Sequence, residues 1–272
     1  MSKMPDLHKD AMDMLLETSR TFFIPINGLP AGLKEAVTAA YLCMRAIDEI
    51  EDHPQLPSED KGNLLRSVSR ILQKPFSDFE LTAVFEPYKS LLPEVTLRMS
   101  DWAKLIPTEI QSEIYRSTAT MADGMAEWVS KKWIVKTEED LDQYTFYVAG
   151  LVGLLLTDLW EWYDGSKLNR DLAVGYGRGL QAVNIIRNRD EDLSRGVDFF
   201  PDGWTMEEMF LYARRNLALA DVYTKSIQSK PILDFCKIPL VLAYGTLNAI
   251  TAGETKLSRA DVTKLVREAT EK

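Results

Sequence analysis

Tyr41-Leu42-Cys43-Met44-Arg45-Ala46-Ile47-Asp48-Glu49-Ile50-Glu51-Asp52 begins apolar and ends acidic. It reads as the buried-to-polar end of a helix spanning 32 to 52. Asp48 and Asp52 stand at i and i+4 near Arg45. On a helix this spacing puts both carboxylates on one face, one turn apart, where they can share a hard cation. A solvated acidic face has the same spacing, but like charges on it repel, more so when desolvated. A bound divalent cation removes that conflict, and Mg²⁺ favours a few carboxylates completed by phosphate and water.

A second stretch, Asn184-Ile185-Ile186-Arg187-Asn188-Arg189-Asp190-Glu191-Asp192, repeats the chemistry far along the chain. Asn184, Asn188 and Asp192 follow one another at one-turn spacing, with one negative charge fewer than the first stretch offers. Two such faces across a cavity would hold Mg²⁺ against a substrate diphosphate, with Arg45 and Arg187 gripping phosphate oxygens in a fork that lysine cannot copy. The alternative is a helix C-terminus frayed into a polar loop. Arg187 and Arg189 would then form surface pairs with Asp190 or Glu191, worth little energetically.

The helical period continues on either side of these stretches. It runs over roughly 7 to 24, 32 to 52, 58 to 73, 77 to 89, 108 to 131, 138 to 163, 168 to 192, 206 to 228, 232 to 252 and 259 to 270, and no sustained alternating strand pattern interrupts it. Thr137 with Asp140, Thr205 with Glu208 and Ser258 with Asp261 resemble helix starts with an acid three residues on. The chain is therefore expected to be all-α. Phe146 to Leu156 is apolar all round and is the candidate for a wholly buried helix. In it, Gly150 and Gly153 either allow close helix packing or open space for a ligand chain. Gly175-Tyr176-Gly177-Arg178-Gly179 neither follows a strand nor fits a dinucleotide fingerprint, and reads as the loosening of a helix start.

With 272 residues, 46% of them hydrophobic and 27% charged, the chain is large enough for a full core and ordinary for a globular protein. A single domain over 1-272 is the simpler expectation. A net charge of -9 makes nucleic acid an unfavourable partner. Cys43 and Cys236 alone make no disulfide framework or thiolate zinc site, which fits a reducing, cytoplasmic setting. The N-terminus lacks the apolar core of a signal peptide. The longest apolar run, 146 to 156, falls short of the roughly 18 residues of a membrane span. No transmembrane segment is expected, although peripheral membrane contact suits an oily substrate or product. His8 and His53 lack the Glu-x-x-His context of a di-iron bundle, and no nucleophile motif stands near either for a hydrolase triad.

Six ordered segments resemble the squalene and phytoene synthases, enzymes that join two isoprenyl diphosphates head to head. They are Ser19 to Phe23, Tyr41 to Asp52, Gly124-Met125-Ala126-Glu127, Tyr144 to Gly153, Gln181 to Asp192, and Phe235 to Pro239. The resemblance implies the isoprenoid-synthase helical bundle around a central active-site cavity, and a prenyl diphosphate substrate such as farnesyl diphosphate. It implies Mg²⁺ held by Asp48, Asp52, Asn184, Asn188 and Asp192, with Ser19, Arg20, Arg45, Arg187 and Asn184 on the diphosphate. Phe22, Tyr41, Val148, Leu151 and Gln181 would line the substrate pocket. Tyr144 would act near the cation or the leaving group, or else carry a structural hydroxyl.

The departure from the family pattern is Asn188, where an aspartate is usual. Asn keeps an oxygen donor and loses the charge, so the second metal cluster is expected to be weaker. From this imbalance the expected reaction is ionisation of one farnesyl diphosphate and capture of the cation by water, a phosphatase-like release of farnesol. The alternatives are a head-to-head synthase making phytoene, dehydrosqualene, squalene or its cyclopropyl precursor, and a non-catalytic isoprenoid-binding helical protein. The C-terminal membrane anchor of eukaryotic squalene synthases is not expected from these 272 residues, and no NADPH site is apparent.

Overall fold

The computed structural model describes residues 6–271. The described residues form helices and no strand, as the periodicity requires. They fall into two compact units, Met1–Lys131 and Lys132–Lys272.

The first unit holds α1 (Leu7–Thr18), α2 (Arg20–Asn27), α3 (Leu33–Glu51), α4 (Ser58–Leu72), α5 (Asp78–Phe85), α6 (Glu94–Leu97), α7 (Met99–Lys104) and α8 (Gln111–Ser130). α3 is its spine, packing on α1, α6, α7 and α8, while α4 lies along α8. Ala36, Val37, Ala39, Ala40, Leu42, Cys43, Ala46, Ile47 and Ile50 bury its apolar face. At roughly 1.5–3 kcal/mol for each large side chain, this face fixes the helix that carries Asp48 and Asp52. The unbroken helix expected over 7 to 24 is instead two. Ser19 is extended, its N–H ends α1 on Leu15 O at 2.9 Å, and its Oγ caps α2 by accepting from Phe22 N at 3.1 Å. The short α6 and α7 had no sequence signal.

The second unit holds α9 (Glu138–Thr145), α10 (Leu151–Asp164), α11 (Arg170–Ser194), α12 (Met206–Lys225), α13 (Lys230–Thr251) and α14 (Arg259–Thr270). The three expected capping boxes all form, for example with Thr137 Oγ1 accepting from Asp140 N at 3.1 Å and Asp140 accepting from Thr137 N at 3.1 Å. α9 and α10 are joined through a π turn at Phe146–Gly150. The wholly buried helix expected over 146 to 156 is only partly so. Gly150, Leu151 and Leu155 are buried, whereas Phe146, Tyr147, Val148, Val152 and Leu156 keep half-buried apolar surface.

α11 packs on the π turn, α10, α12 and α13. The glycine run does not loosen a helix start, because α11 begins at Arg170 and continues through it. The run allows close approach instead: a Cβ on Gly177 would lie 2.2 Å from Ala149 O, and one on Gly153 2.2 Å from Ala173 O. Close packing is thus the role of Gly153. α13 is long and apolar enough to cross a membrane by length and composition, with a mean hydropathy of 1.2 and 56% of that window buried. A core helix has the same properties, and Asp234 and Lys237 interrupt its apolar residues, so no unbroken apolar run marks it in the sequence.

Candidate active site

In the first unit the acidic end of α3 brings together Asp48, Glu51 and Asp52, with one carboxylate oxygen of each within 4.8 Å of the others. Asp48 is half-buried, Glu51 buried and Asp52 exposed. The i, i+3, i+4 spacing puts all three on one face. Glu51 was passed over in the sequence, where only the i, i+4 pair was weighed. Next to it Lys61, buried on α4, donates to the Glu51 carbonyl at 2.6 Å and fastens the end of α3.

Arg45 completes the cluster. Its guanidinium donates to Asp48 and, at 2.5 Å, to Glu49, while its buried Nε has no hydrogen-bond partner. In this structure Arg45 therefore balances carboxylates on its own helix. Tyr41 lies one turn before it, with the Phe22 ring centroid 6.2 Å away. Burial raises the Tyr41 phenol, opposed by Thr18, Arg45 and Ser19. Five expected residues, Ser19, Phe22, Tyr41, Arg45 and Asp48, are thus neighbours in this unit. The Arg20 side chain lies outside the described residues.

Desolvation pushes the Asp48 carboxyl up to about 7, with Arg45 opposing and Asp52 and Glu49 adding to the rise. This makes a testable sign. A carboxyl whose folded pKa lies above its unfolded value stabilises the fold below about pH 4, and that contribution is lost as pH rises towards 7. With 29% of the side chain still open, the loss is at most about 4 kcal/mol. Without divalent metal, Tm is expected to fall by several degrees between pH 5 and pH 8, and Mg²⁺ to restore more stability at pH 8 than at pH 5. Thermal unfolding at both pH values checks this; equal effects of Mg²⁺ at the two would contradict it.

In the second unit Gln181, Asn184, Arg187, Asn188 and Asp192 all lie within the regular part of α11, so the frayed-loop alternative does not apply. Asn184 is exposed and donates from Nδ2 to Gln181 Oε1 at 3.4 Å. Arg187 is also exposed, and its Nε donates to Asn188 Oδ1 at 3.2 Å. Asp192, with 9% of its side chain open, accepts from Arg195 Nη2 at 2.5 Å. Arg189, rather than resting on Asp190 or Glu191, donates to Asp198 at 2.9 Å and lies 3.8 Å over the Phe200 ring. Arg195 and Asp198 fall beyond the motif and were missed, although Arg at i+3 from Asp192 was a readable signal.

Tyr144 is buried with its ring stacked on Phe199 at 4.5 Å, which gives it a packing role in this unit. Val148 sits on the π turn, and Leu151 is buried at the start of α10. A cavity of about 360 Å³ opens beside Arg189, lined also by Trp133, Val197, Phe200 and Trp204. Lys132 and Trp133, at its edge, have φ of 54° and 52°, an uncommon backbone for non-glycine residues. Nothing in the sequence pointed to this cavity.

The model of the family described as squalene/phytoene synthase matches residues 15–208. The squalene synthase of Schizosaccharomyces pombe is 31% identical over 272 residues, covering 86% of this chain and 57% of its own length. That of Rattus norvegicus is 28% identical, covering 96% and 70%. The chain thus spans about three fifths to seven tenths of these two relatives. Among solved structures, TcSQS in complex with the ligand BPH1237 superposes with a TM-score of 0.82 at 23% identity, over 98% of this chain and 87% of that one. A ligand-bound dehydrosqualene synthase gives 0.65 at 19%, over 97% and 95%. The all-α fold is that of these synthases. With the family pattern matched over most of its length, the chain belongs to the squalene/phytoene synthase family.

Proposed function

We propose that the chain is a Mg²⁺-dependent prenyl diphosphate enzyme that joins two molecules such as farnesyl diphosphate head to head. The observation that carries this reading is the Asp48, Glu51 and Asp52 cluster in a chain whose curated relatives include several squalene synthases. Three carboxylate oxygens within 4.8 Å of one another suit a small hard cation. Bound there, Mg²⁺ would neutralise the charge of a departing pyrophosphate. Arg45 rests on Asp48 and Glu49, and its Nη1 arm would be freed towards phosphate oxygens once Asp48 takes metal, with Glu49 still holding the other arm. The Tyr41 and Phe22 rings would offer their faces to the allylic cation left when the C1 to oxygen bond breaks.

Hydrolysis to farnesol, expected from the sequence alone, is the second reading. One observation favours it: Asn188 stands in place of an acid, with its oxygen already engaged by Arg187. The likeness to the squalene synthases of Schizosaccharomyces pombe and Rattus norvegicus supports coupling instead. Incubation with farnesyl diphosphate and Mg²⁺, with and without NADPH, separates the two by the lipid formed. Coupling predicts a cyclopropyl C30 diphosphate or a C30 hydrocarbon. Farnesol alone would replace coupling by hydrolysis, and unchanged substrate would overturn both.

A further inference from the structure

Two of the three clustered carboxylates, Glu51 and Asp52, stand on the last turn of α3. Asp52 is the C-cap, and its N–H donates to Asp48 O at 2.9 Å to close that turn. Helix ends fray, and their final carbonyls have no partner inside the helix. Ligands mounted there need support from outside it.

His53 follows directly, and its half-buried ring is engaged at both nitrogens. The N–H groups of Gln55 and Leu56 lie 3.2 and 3.1 Å from Nδ1, which must therefore accept. Leu91 O lies 3.1 Å from Nε2, and since a carbonyl only accepts, Nε2 carries the hydrogen. The ring is thus neutral, and with both nitrogens held by backbone it is left neither to ligate a metal nor to pass a proton.

What the ring does is join segments. The turn at 88–92 is closed by Leu91 N and Leu92 N donating to Tyr88 O at 2.9 and 3.0 Å. Tyr88 donates its hydroxyl to Asp60 Oδ1 on α4 at 3.2 Å. Lys61, next to Asp60, returns to α3 by donating to Glu51 O at 2.6 Å. These bonds close a circuit from the end of α3 through the 88–92 turn and α4 back to α3, and His53 is the link nearest Asp52.

We propose that His53 is a positioning residue of the metal site. Its bonds to Gln55, Leu56 and Leu91 fix the exit of α3, and so hold Glu51 and Asp52 where they can share a cation with Asp48. The inference rests on the reading that these three carboxylates take a divalent metal. Groups that orient metal ligands from behind typically carry about 10- to 100-fold in metal affinity.

Mn²⁺ affinity of the full chain, read from the free-ion EPR signal, is the probe. His53→Ala is expected to weaken it about tenfold. His53→Asn, whose side-chain oxygen can accept from the N–H two residues on, is expected to recover part of that loss. Amide exchange in EDTA is expected to quicken over residues 51–56 in His53→Ala. Thr96→Val is the control for a purely structural tie, because Thr96 Oγ1 donates to Ala46 O, a buried bond to α3 before the cluster, at 3.1 Å. It is expected to lower Tm and leave Mn²⁺ affinity unchanged. Unchanged affinity in His53→Ala, or an equal loss in Thr96→Val, would overturn the proposal. If the unaltered protein binds no Mn²⁺, or binding survives Asp48→Asn with Asp52→Asn, the underlying reading fails and the inference with it.

Discussion

Asp48→Ala is expected to lower turnover of farnesyl diphosphate by on the order of 10³-fold while making the metal-free protein more stable at pH 8. The two effects share one cause. Asp48 sits half-buried beside Asp52 and Glu49, and desolvation with those neighbours raises its carboxyl to about 7. Holding it ionised costs the fold stability that only a bound cation returns. Removing the carboxylate abolishes that cost and the metal ligand together, a trade of stability for function common at active sites. The variant is checked by quenched assay across a Mg²⁺ titration and by thermal unfolding in EDTA. Full activity would remove the first segment from the mechanism. Lost activity with lowered stability would mean that Asp48 serves the fold.

Gly177→Ala is expected to destabilise the chain by about 3 kcal/mol, lowering Tm by roughly 5–10 °C. Its new Cβ would lie 2.2 Å from Ala149 O and 2.9 Å from Gly150 N, both backbone atoms of the π turn, so α11 and that turn would have to part. Gly62→Ala is the matched control. There the new Cβ would meet only the Arg66 guanidinium, at 3.1 Å, the far end of a flexible side chain. Since alanine gains up to about 1 kcal/mol over glycine within a helix, Gly62→Ala is expected to be neutral or stabilising. Thermal unfolding of both decides the matter; equal effects would show that helix propensity governs and that the close approach at Gly177 does not.

Much of the fold was legible because its signals are local. Apolar residues at helical spacing and an acid three residues after Thr137, Thr205 and Ser258 carry their meaning within one turn. The break at Ser19 was hidden because a serine that caps one helix and ends another does not interrupt the apolar pattern around it. The glycine run of α11 was misread because a glycine that loosens a helix and one that admits a neighbour's backbone look alike in sequence. Partners there come from elements remote in the chain.

The candidate site was legible to a similar depth. The α3 face was found from spacing, while the inclusion of Glu51 needed the third position of the same face to be weighed. Arg45 was placed on phosphate by its chemistry, yet its i+3 and i+4 neighbours Asp48 and Glu49 hold it in this structure. Arg195, outside the motif, gives Asp192 its partner, a pairing that the i+3 spacing offered but the bounds of the motif left out. The imbalance between the two segments was visible in the sequence as one missing charge. In the structure Asp48, Glu51 and Asp52 cluster on α3, whereas on α11 Asn188 is engaged by Arg187 and Asp192 by Arg195.

The central claim is that metal held at Asp48, Glu51 and Asp52 assists rupture of the C1 to oxygen bond of a prenyl diphosphate. Quantifying the anion released from farnesyl diphosphate tests it most directly, whichever lipid is formed. The account predicts inorganic pyrophosphate, released only with Mg²⁺ and lost in Asp48→Ala. Release of monophosphate as the first product, or pyrophosphate release that persists in EDTA, would contradict it.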